Sequence, residues 1–381
     1  MTALFEWMAT LPPLLQIPVV LILFGIVIAA VLFFIEFAPR SGRRYTILRL
    51  LVAVLVPAIA LLFFGIYNSA VWLVPVAAAL GAVLFLLDSR SKGGKGSLLQ
   101  LFTFMAPAII LLAIGLLYPM IKTIISAFFS NDGSQFVGLA NFSYIFAGGS
   151  DGVIAVVNQI VWVVITPVVA TAIGLLYAVF IDKSRGEKTL KVFVFMPVAI
   201  SFVGASIIFK FFYDYQQGAQ IGLLNQIVVW FGGQPVNWLQ TSPLNDVLLI
   251  IILIWSQTGF AMVLLSAAIK GVPEEQLEAA ELDGANAYAR FRNVTVPSIR
   301  PTIIVTWITI AIVSLKVYDI IAATTQGQNN TSVISYQMVR LFQNLPPQNG
   351  TSSAEAVLLF ILILPFLIYN ARNIRRQRLG L

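Results

Sequence analysis

The sequence predicts an all-α polytopic membrane protein with about nine transmembrane helices, and three observations carry that expectation. The first is composition. Of the 381 residues, 59% are hydrophobic and only 10% are charged, against about 25% charged in an ordinary soluble domain. So little charge cannot cover so much apolar surface in water, and lipid must solvate much of the chain. The second is a series of apolar stretches, each close to the roughly 20 residues a helix needs to cross a bilayer. The third is the alternating placement of basic residues between them.

The stretches are 13–37, 46–67, 69–87, 98–129, 153–181, 191–212, 246–269, 302–322 and 355–370. Strands of a membrane barrel would be about half as long and would alternate apolar with polar, which these do not. Pro107, Pro119, Pro167 and Pro197 fall inside spans. Membrane helices tolerate proline, and each is an expected kink.

Of the 23 Lys and Arg residues, all but Lys122, Lys210, Lys316 and Arg340 follow odd-numbered spans. Basic residues collect on the cytoplasmic side. The expected topology therefore puts the amino terminus outside an inner (plasma) membrane and the carboxyl terminus in the cytoplasm. The same asymmetry accounts for the net charge of +7 without nucleic acid. The first residues carry no Lys or Arg, which argues against a cleaved signal peptide. Cys and His are both absent. Disulfides and thiolate metal sites are excluded, and the commonest general base and metal ligand is missing. Neither catalysis on a bound substrate nor a metal site is expected of this chain.

The segment 88–97, DSRSKGGKGS, is short, basic and rich in Gly and Ser, the composition of a linker. It divides the chain into residues 1–97, with three spans, and residues 98–381, with six. Within the larger block the connections 130–152, 213–245 and 323–354 are polar and rich in Gly, Asn and Gln. They are long enough to receive a partner outside the membrane.

The connection between the seventh and eighth spans, 270–301, is unlike the others. Pro273 suits the first position of a helix, where its missing N–H costs nothing. Glu274 and Glu275 then occupy the first turn, where the helix dipole favours negative charge. Leu277, Ala280 and Glu281 continue at helical spacing, and Gly284 is a natural stop. A second short helix is expected over 286–293, ended by Val296 and Pro297. The pair reads as two short cytoplasmic helices. Ala279 and Ala280 lack bulk, so a partner backbone can approach closely, and Phe291 supplies an apolar anchor. Taken alone, the loop is also compatible with an amphipathic helix lying on the membrane surface. Its apolar face is small and alanine-rich, which suits a protein groove better.

Glu278-Ala279-Ala280, then Asp283-Gly284-Ala285, Phe291, Val294-x-Val296-Pro297 and Pro301, resemble the EAA loop of binding-protein-dependent ABC importer permeases. Val stands where that family commonly has Ile and Leu. Three further stretches resemble the maltose-type, MalF-like sugar permeases of that family. They are Ser314-Leu-Lys316-Val-Tyr318-Asp319 with the following Thr324-Thr325-Gln-Gly327, Trp255-Ser256-Gln257-x-Gly259-Phe260, and Phe195-Met-Pro197. The resemblance covers about 98–381 and leaves out residues 1–95. It implies a six-helix importer core whose EAA loop is a coupling helix seated in a cleft of an ATPase subunit. It further implies ATPase-coupling roles for Glu278, Ala279, Ala280, Asp283, Gly284, Phe291 and Pro297. The implied partners are a dimer of ATPase subunits, a second homologous (MalG-like) permease and an extracytoplasmic sugar-binding protein. The implied cargo is a sugar of the maltose, trehalose or other α-glucoside type.

Aromatic faces and amide or hydroxyl groups are what a pyranose offers partners for. Trp255, Ser256 and Gln257 in the seventh span, and Ser314 and Tyr318 in the eighth, are the candidates for the substrate path, with Trp162 and Tyr177 as further aromatics. Embedded aromatics also serve as packing or interface anchors. Lys316 and Asp319 are three residues apart and are expected to share a helix face, as a structural ion pair or as a gate. Lys122 and Lys210 fit snorkelling at helix ends.

No Gly-x-x-x-x-Gly-Lys-Ser/Thr phosphate loop occurs; Gly93-Gly-Lys95-Gly-Ser is too short. ATP and Mg are therefore expected on the partner ATPase, with no cofactor in this chain. A secondary carrier or a membrane scaffold without an ATPase is the alternative. The spans show no ordered acidic or histidine relay of the kind proton-coupled carriers often use.

Overall fold

The computed structural model describes residues 109, 112–147, 151–182, 184–215 and 221–379, with side chains to residue 372. The first three expected spans, the 88–97 linker and the start of the fourth span lie outside the described residues. Two compact units are distinguished, Met1–Met120 and Ile121–Leu381, and the second is taken up below. Among the described residues the fold is helical, and extended pairing is limited to two isolated bridges, Phe129 with Phe136 and Tyr215 with Ile221.

Among the described residues, four helices are long and apolar enough to cross a membrane: Asp151–Ile181, Leu244–Lys270, Ala287–Leu315 and Asn349–Arg372. The expected span 191–212 is not one helix. It is a pair, Glu187–Ala199 and Phe202–Tyr213, bent by 101°. The break follows from Pro197, which sits in a tight 3-10 turn, Met196–Ala199, after which the backbone at Ile200 is extended. Ser201 then caps a new helix by accepting a hydrogen bond from the Gly204 N–H at 3.1 Å. Pro167, by contrast, is carried inside the continuous Asp151–Ile181 helix. The expected span 302–322 is also cut short. Its helix ends at Leu315, and a separate short helix, Asp319–Ala323, follows. Lys316 is the cap residue between them and makes no ion pair with Asp319 among the described residues. The shared face expected for this pair needs an unbroken helix, and there is none.

Leu244–Lys270 is the most buried of the crossing helices and packs most extensively on Asp151–Ile181. Small residues make this possible. A Cβ on Gly174 would lie 2.5 Å from the Ala261 Cβ and 2.9 Å from the Met262 backbone nitrogen. A Cβ on Gly259 would lie 2.4 Å from the Val194 carbonyl oxygen. Helix backbones touch at both points. Lipid gives no hydrophobic drive for helix association, so such close van der Waals contact is what holds a membrane bundle together.

Polar side chains add fixed points toward one end of the bundle. The buried Trp162 indole donates to Asp246 Oδ1 at 2.9 Å, joining the two central helices. The Gln159 amide donates to the Ser314 carbonyl at 3.0 Å. At that same end the connection before Ile334 turns sharply, with Gln326, Gly327, Asn329 and Asn330 all in the left-handed region. Two membrane helices hold it. The Asn158 amide donates to the carbonyls of Asn330 (2.6 Å) and Ser332 (2.9 Å), and the Asn245 amide donates to that of Asn329 (2.8 Å). The connections expected as polar loops are thus folded, and each carries a short helix: Ala140–Ile145, Leu223–Trp230 or Ile334–Gln343.

Two outcomes follow from this packing. Gly259→Leu is expected to destabilise the bundle by at least about 1–3 kcal/mol, the scale of overpacking. Gly271→Ala, whose Cβ would meet its nearest neighbour at an ordinary 3.4 Å, should leave it nearly unchanged. Thermal unfolding in detergent compares them. Replacing both Asn158 and Asn245 by Ala removes donors worth about 1 kcal/mol each, and should raise hydrogen exchange over 326–332 without altering that of the central helices.

Candidate functional site

The connection between Leu244–Lys270 and Ala287–Leu315 forms the helix pair the sequence leads one to expect, with two differences. Pro273 takes the cap position instead of the first turn, with extended backbone (φ −57°, ψ 132°), and the loop helix runs Glu274–Leu282. The second helix is not ended by Val296 and Pro297. Ala287–Arg290 continues through a π-helical turn, Phe291–Thr295, directly into Val296–Leu315. The wider π turn just before Pro297 accommodates a ring that would otherwise press on the carbonyl four residues back.

The stop between the two helices is built from backbone. Gly284 has φ +82°. Its N–H donates to the Glu281 carbonyl at 2.9 Å, and the Ala285 N–H donates to the Ala280 carbonyl at 3.0 Å. That pair of bonds is the Schellman closure, which needs a left-handed residue at this position, and glycine takes it without a Cβ penalty. The next helix opens on Asn286, whose side chain accepts from the Ala289 N–H at 2.8 Å. An ion pair between Arg290 and Glu281 crosses the corner.

The loop helix has no buried residue. Glu278, Ala279, Asp283 and Gly284 are exposed, Ala280 is half-buried, and Leu282 is 89% exposed. Phe291 is half-buried and Pro297 exposed. Five of the seven expected residues, Glu278, Ala279, Ala280, Asp283 and Gly284, thus lie on the loop helix and its corner, while Phe291 lies in the π turn and Pro297 at the start of Val296–Leu315. Beside them sequence reasoning missed Leu282 and Tyr288, large side chains left open at 89% and 68%. An apolar residue flanking a glycine stop was the available signal.

The five candidates for the substrate path are not brought together in the same way. Trp255, Ser256 and Gln257 are consecutive on an α-helix, so they point about 100° apart and cannot line one face. The Trp255 ring meets Phe209 edge-on, with centroids 5.4 Å apart. Ser256 and Gln257 are buried. Ser314 is fully buried and its hydroxyl donates to the Ile310 carbonyl at 2.9 Å. Tyr318 stacks on Tyr336 at 5.8 Å. Trp162 is fully buried and joined to Asp246, while Tyr177 is 42% exposed. Tyr336 was missed because 323–354 reads as polar loop. Its signal was Ile334, Gln337 and Leu341, buried at helical spacing.

Among the described residues no group of His, Cys, Asp or Glu could hold a metal ion.

The chain matches the family described as binding-protein-dependent transport system inner membrane component over residues 151–379. It is similar to the alpha-glucoside transport system permease protein AglF of Rhizobium meliloti, with 40% identity over 81% of this chain and 91% of the relative. It is also similar to the osmoprotective compounds uptake permease protein GgtC of Synechocystis, with 41% identity over 72% of this chain and 98% of that one. The fold matches the crystal structure of a bacterial ABC transporter involved in the import of the acidic polysaccharide alginate. That match has a TM-score of 0.63 and 24% identity, and covers 73% of this chain and 95% of the matched one. With its crossing helices, its projecting loop and a family match over more than half its length, the chain belongs to the binding-protein-dependent transport system inner membrane components.

Proposed function

We propose that this chain is the membrane-spanning subunit of an ATP-driven (ABC) importer that carries a sugar, an oligosaccharide such as maltose, trehalose or another α-glucoside. The observation that carries the reading is the exposed loop helix Glu274–Leu282, fixed at both ends yet in contact with little of its own chain. A helix that buries nothing of its own is stable only as part of a larger contact, and helix-in-groove docking is the form that contact takes. The named relatives, an alpha-glucoside permease foremost, support the choice of cargo.

In this reading residues 98–381 form the permease domain and residues 1–97 an added three-helix unit. The loop faces the cytoplasm, with the amino terminus outside and the carboxyl terminus inside. Two ATPase subunits grip the loops of this chain and of a second, homologous permease, and they alone hold ATP and Mg. Glu278, Ala279, Ala280, Asp283 and Gly284 form the gripped surface, the half-buried Phe291 anchors it, and Pro297 opens the span that carries its movement onward. A loaded binding protein docks on the opposite face. A hollow of about 340 Å³ there is lined by Asp151, Gly327, Gln328, Asn329, Asn330 and Arg340, among others, which are groups that can meet a polar surface. Closure of the ATPases then rocks the helices to expose the site outward, and hydrolysis resets it. Of the path candidates, Trp255 and Tyr318 are only partly buried and carry the sugar-stacking role, each at its own place in the bundle. Ser256, Gln257 and Ser314 are buried and serve the path as polar groups within their helices.

Glu278→Lys and Gly284→Val test this. Glu278 is exposed, so its replacement should change stability by no more than about 0.5 kcal/mol, while Val at a φ of +82° adds strain of about 1–3 kcal/mol to the corner. Both variants are expected to reach the membrane, to lose co-purifying ATPase and to lower sugar uptake by at least about tenfold. Normal uptake in both would refute the coupling role. Uptake assayed against a panel of α- and β-linked disaccharides decides the cargo.

A further inference from the structure

Where the loop is rooted, three segments meet in a cluster of charges. Asp182 directly follows the Asp151–Ile181 helix. Glu187 and Lys191 lie one turn apart on the helix that begins at Glu187. Ser266 and Lys270 end the Leu244–Lys270 helix, four residues before the loop helix begins. Lys191 Nζ pairs with Asp182 and, at 2.9 Å, with Glu187 Oε1, and it also bonds the Ser266 hydroxyl. The Ser266 hydroxyl donates to Asp182 Oδ1 at 2.6 Å. Lys270 Nζ pairs with Glu187 and stands 4.0 Å from Asp182 Oδ1. The Asp182 side chain is 9% exposed and that of Lys191 is 22% exposed.

This arrangement differs from a scatter of surface pairs, which contribute little. Each cation meets two carboxylates, each carboxylate meets two cations, and every contact except that of Glu187 with Lys191 joins different segments. Dipole complementation asks only for an acid at the start of one helix and a base at the end of the other. Glu187 and Lys270 would meet that need from their positions alone, yet they pair directly, so the bridging contacts require a further reason. The geometry is consistent with the backbone contacts a few turns away, where Gly259 meets Val194 and Gly174 meets Ala261. Those contacts already make the three segments one body in the membrane.

We infer that the Asp182–Lys191–Glu187–Lys270 cluster is a clasp that stays shut through the transport cycle. It makes Lys191 and Asp182 positioning residues for the coupling loop. A push on the loop helix arrives at Lys270, and the clasp spreads it to the Asp151–Ile181 and Glu187–Phe195 helices at once. Without it the push bends the end of one helix. The inference rests on the importer reading above.

The chain has no cysteine, so the test can be made in one variant, Glu187→Cys with Lys270→Cys, in the intact transporter in proteoliposomes. Uncrosslinked, the variant lacks half the clasp. Sugar uptake per ATP hydrolysed should fall by about tenfold, while basal ATP hydrolysis and subunit assembly persist. A short bismaleimide bridge between the two thiols should restore coupling to within about twofold of the unaltered transporter. Coupling that is normal before crosslinking shows that the clasp transmits nothing. Coupling that stays low after it shows a clasp that must open. Either result overturns the inference. Lys191→Gln, read against a Lys191→Arg variant that keeps the charge, decides the matter should the cysteine variant not assemble: Gln should uncouple and Arg should not. Uptake by the unaltered transporter reports on the importer reading separately, because the clasp is read from coupling ratios between variants.

Discussion

Close approach of helix backbones is the constraint on which the rest of this molecule depends. In lipid, apolar side chains gain nothing by leaving their solvent, so a bundle is held by contact area and by the few polar groups that find partners. Gly174 and Gly259 let the Asp151–Ile181 helix and the Val194–Phe195 backbone lie directly on Leu244–Lys270. Side chains of ordinary size at either point would move the helices apart and with them every polar contact beyond. Trp162 reaches Asp246, and Gln159 reaches the Ser314 carbonyl, only at that spacing. The central helix thereby becomes the member to which everything else is referred, including the loop that continues from its end.

Much of this was legible in the sequence, and the physical reason is that lipid imposes a length and a period that few residues can violate. The crossing helices Asp151–Ile181, Leu244–Lys270 and Asn349–Arg372 fall where apolar runs fall. The loop was legible for a different reason. Proline, paired glutamates, glycine and asparagine each have one preferred place around a helix end, and 273–286 uses them in order. What could not be read was continuity. Pro197 breaks a helix while Pro167 does not, because the outcome depends on what packs beside the freed carbonyl. The π turn before Pro297 likewise depends on context, so a proline that reads as an end is in fact carried into a span.

The candidate site divides along the same line. The shape of the 273–286 loop was legible because it is set by local backbone geometry, and the Gly284 corner needs only its own φ and two neighbouring carbonyls. The surroundings of Trp255, Ser256, Gln257, Ser314 and Tyr318 were not, because which side chains face one another is a tertiary property. Ser314 looked available on its helix, yet its hydroxyl is spent on Ile310 and its carbonyl on Gln159. Tyr336, which stacks on Tyr318, sits in a stretch whose Asn and Gln residues hide a short amphipathic helix. Asn158 and Asn245 were equally silent, since an amide in a span declares its purpose only when the backbone it serves has folded against it.

A loop helix with no buried residue is a poor stabiliser of its own chain. The loop is tied to the bundle at both exits: one passes the Gly284 corner and the Asn286 cap, closed by backbone hydrogen bonds, into Ala287–Leu315, and the other joins the end of Leu244–Lys270. Helix ends fray when their last carbonyls are unsupported. The last turn of this helix is supported instead by Ser266 and Lys270 reaching two other segments. A supported end, a small-residue seam along the shaft and amide-held turns at the far end make Leu244–Lys270 one continuous member that runs from the loop to the turn Asn245 holds.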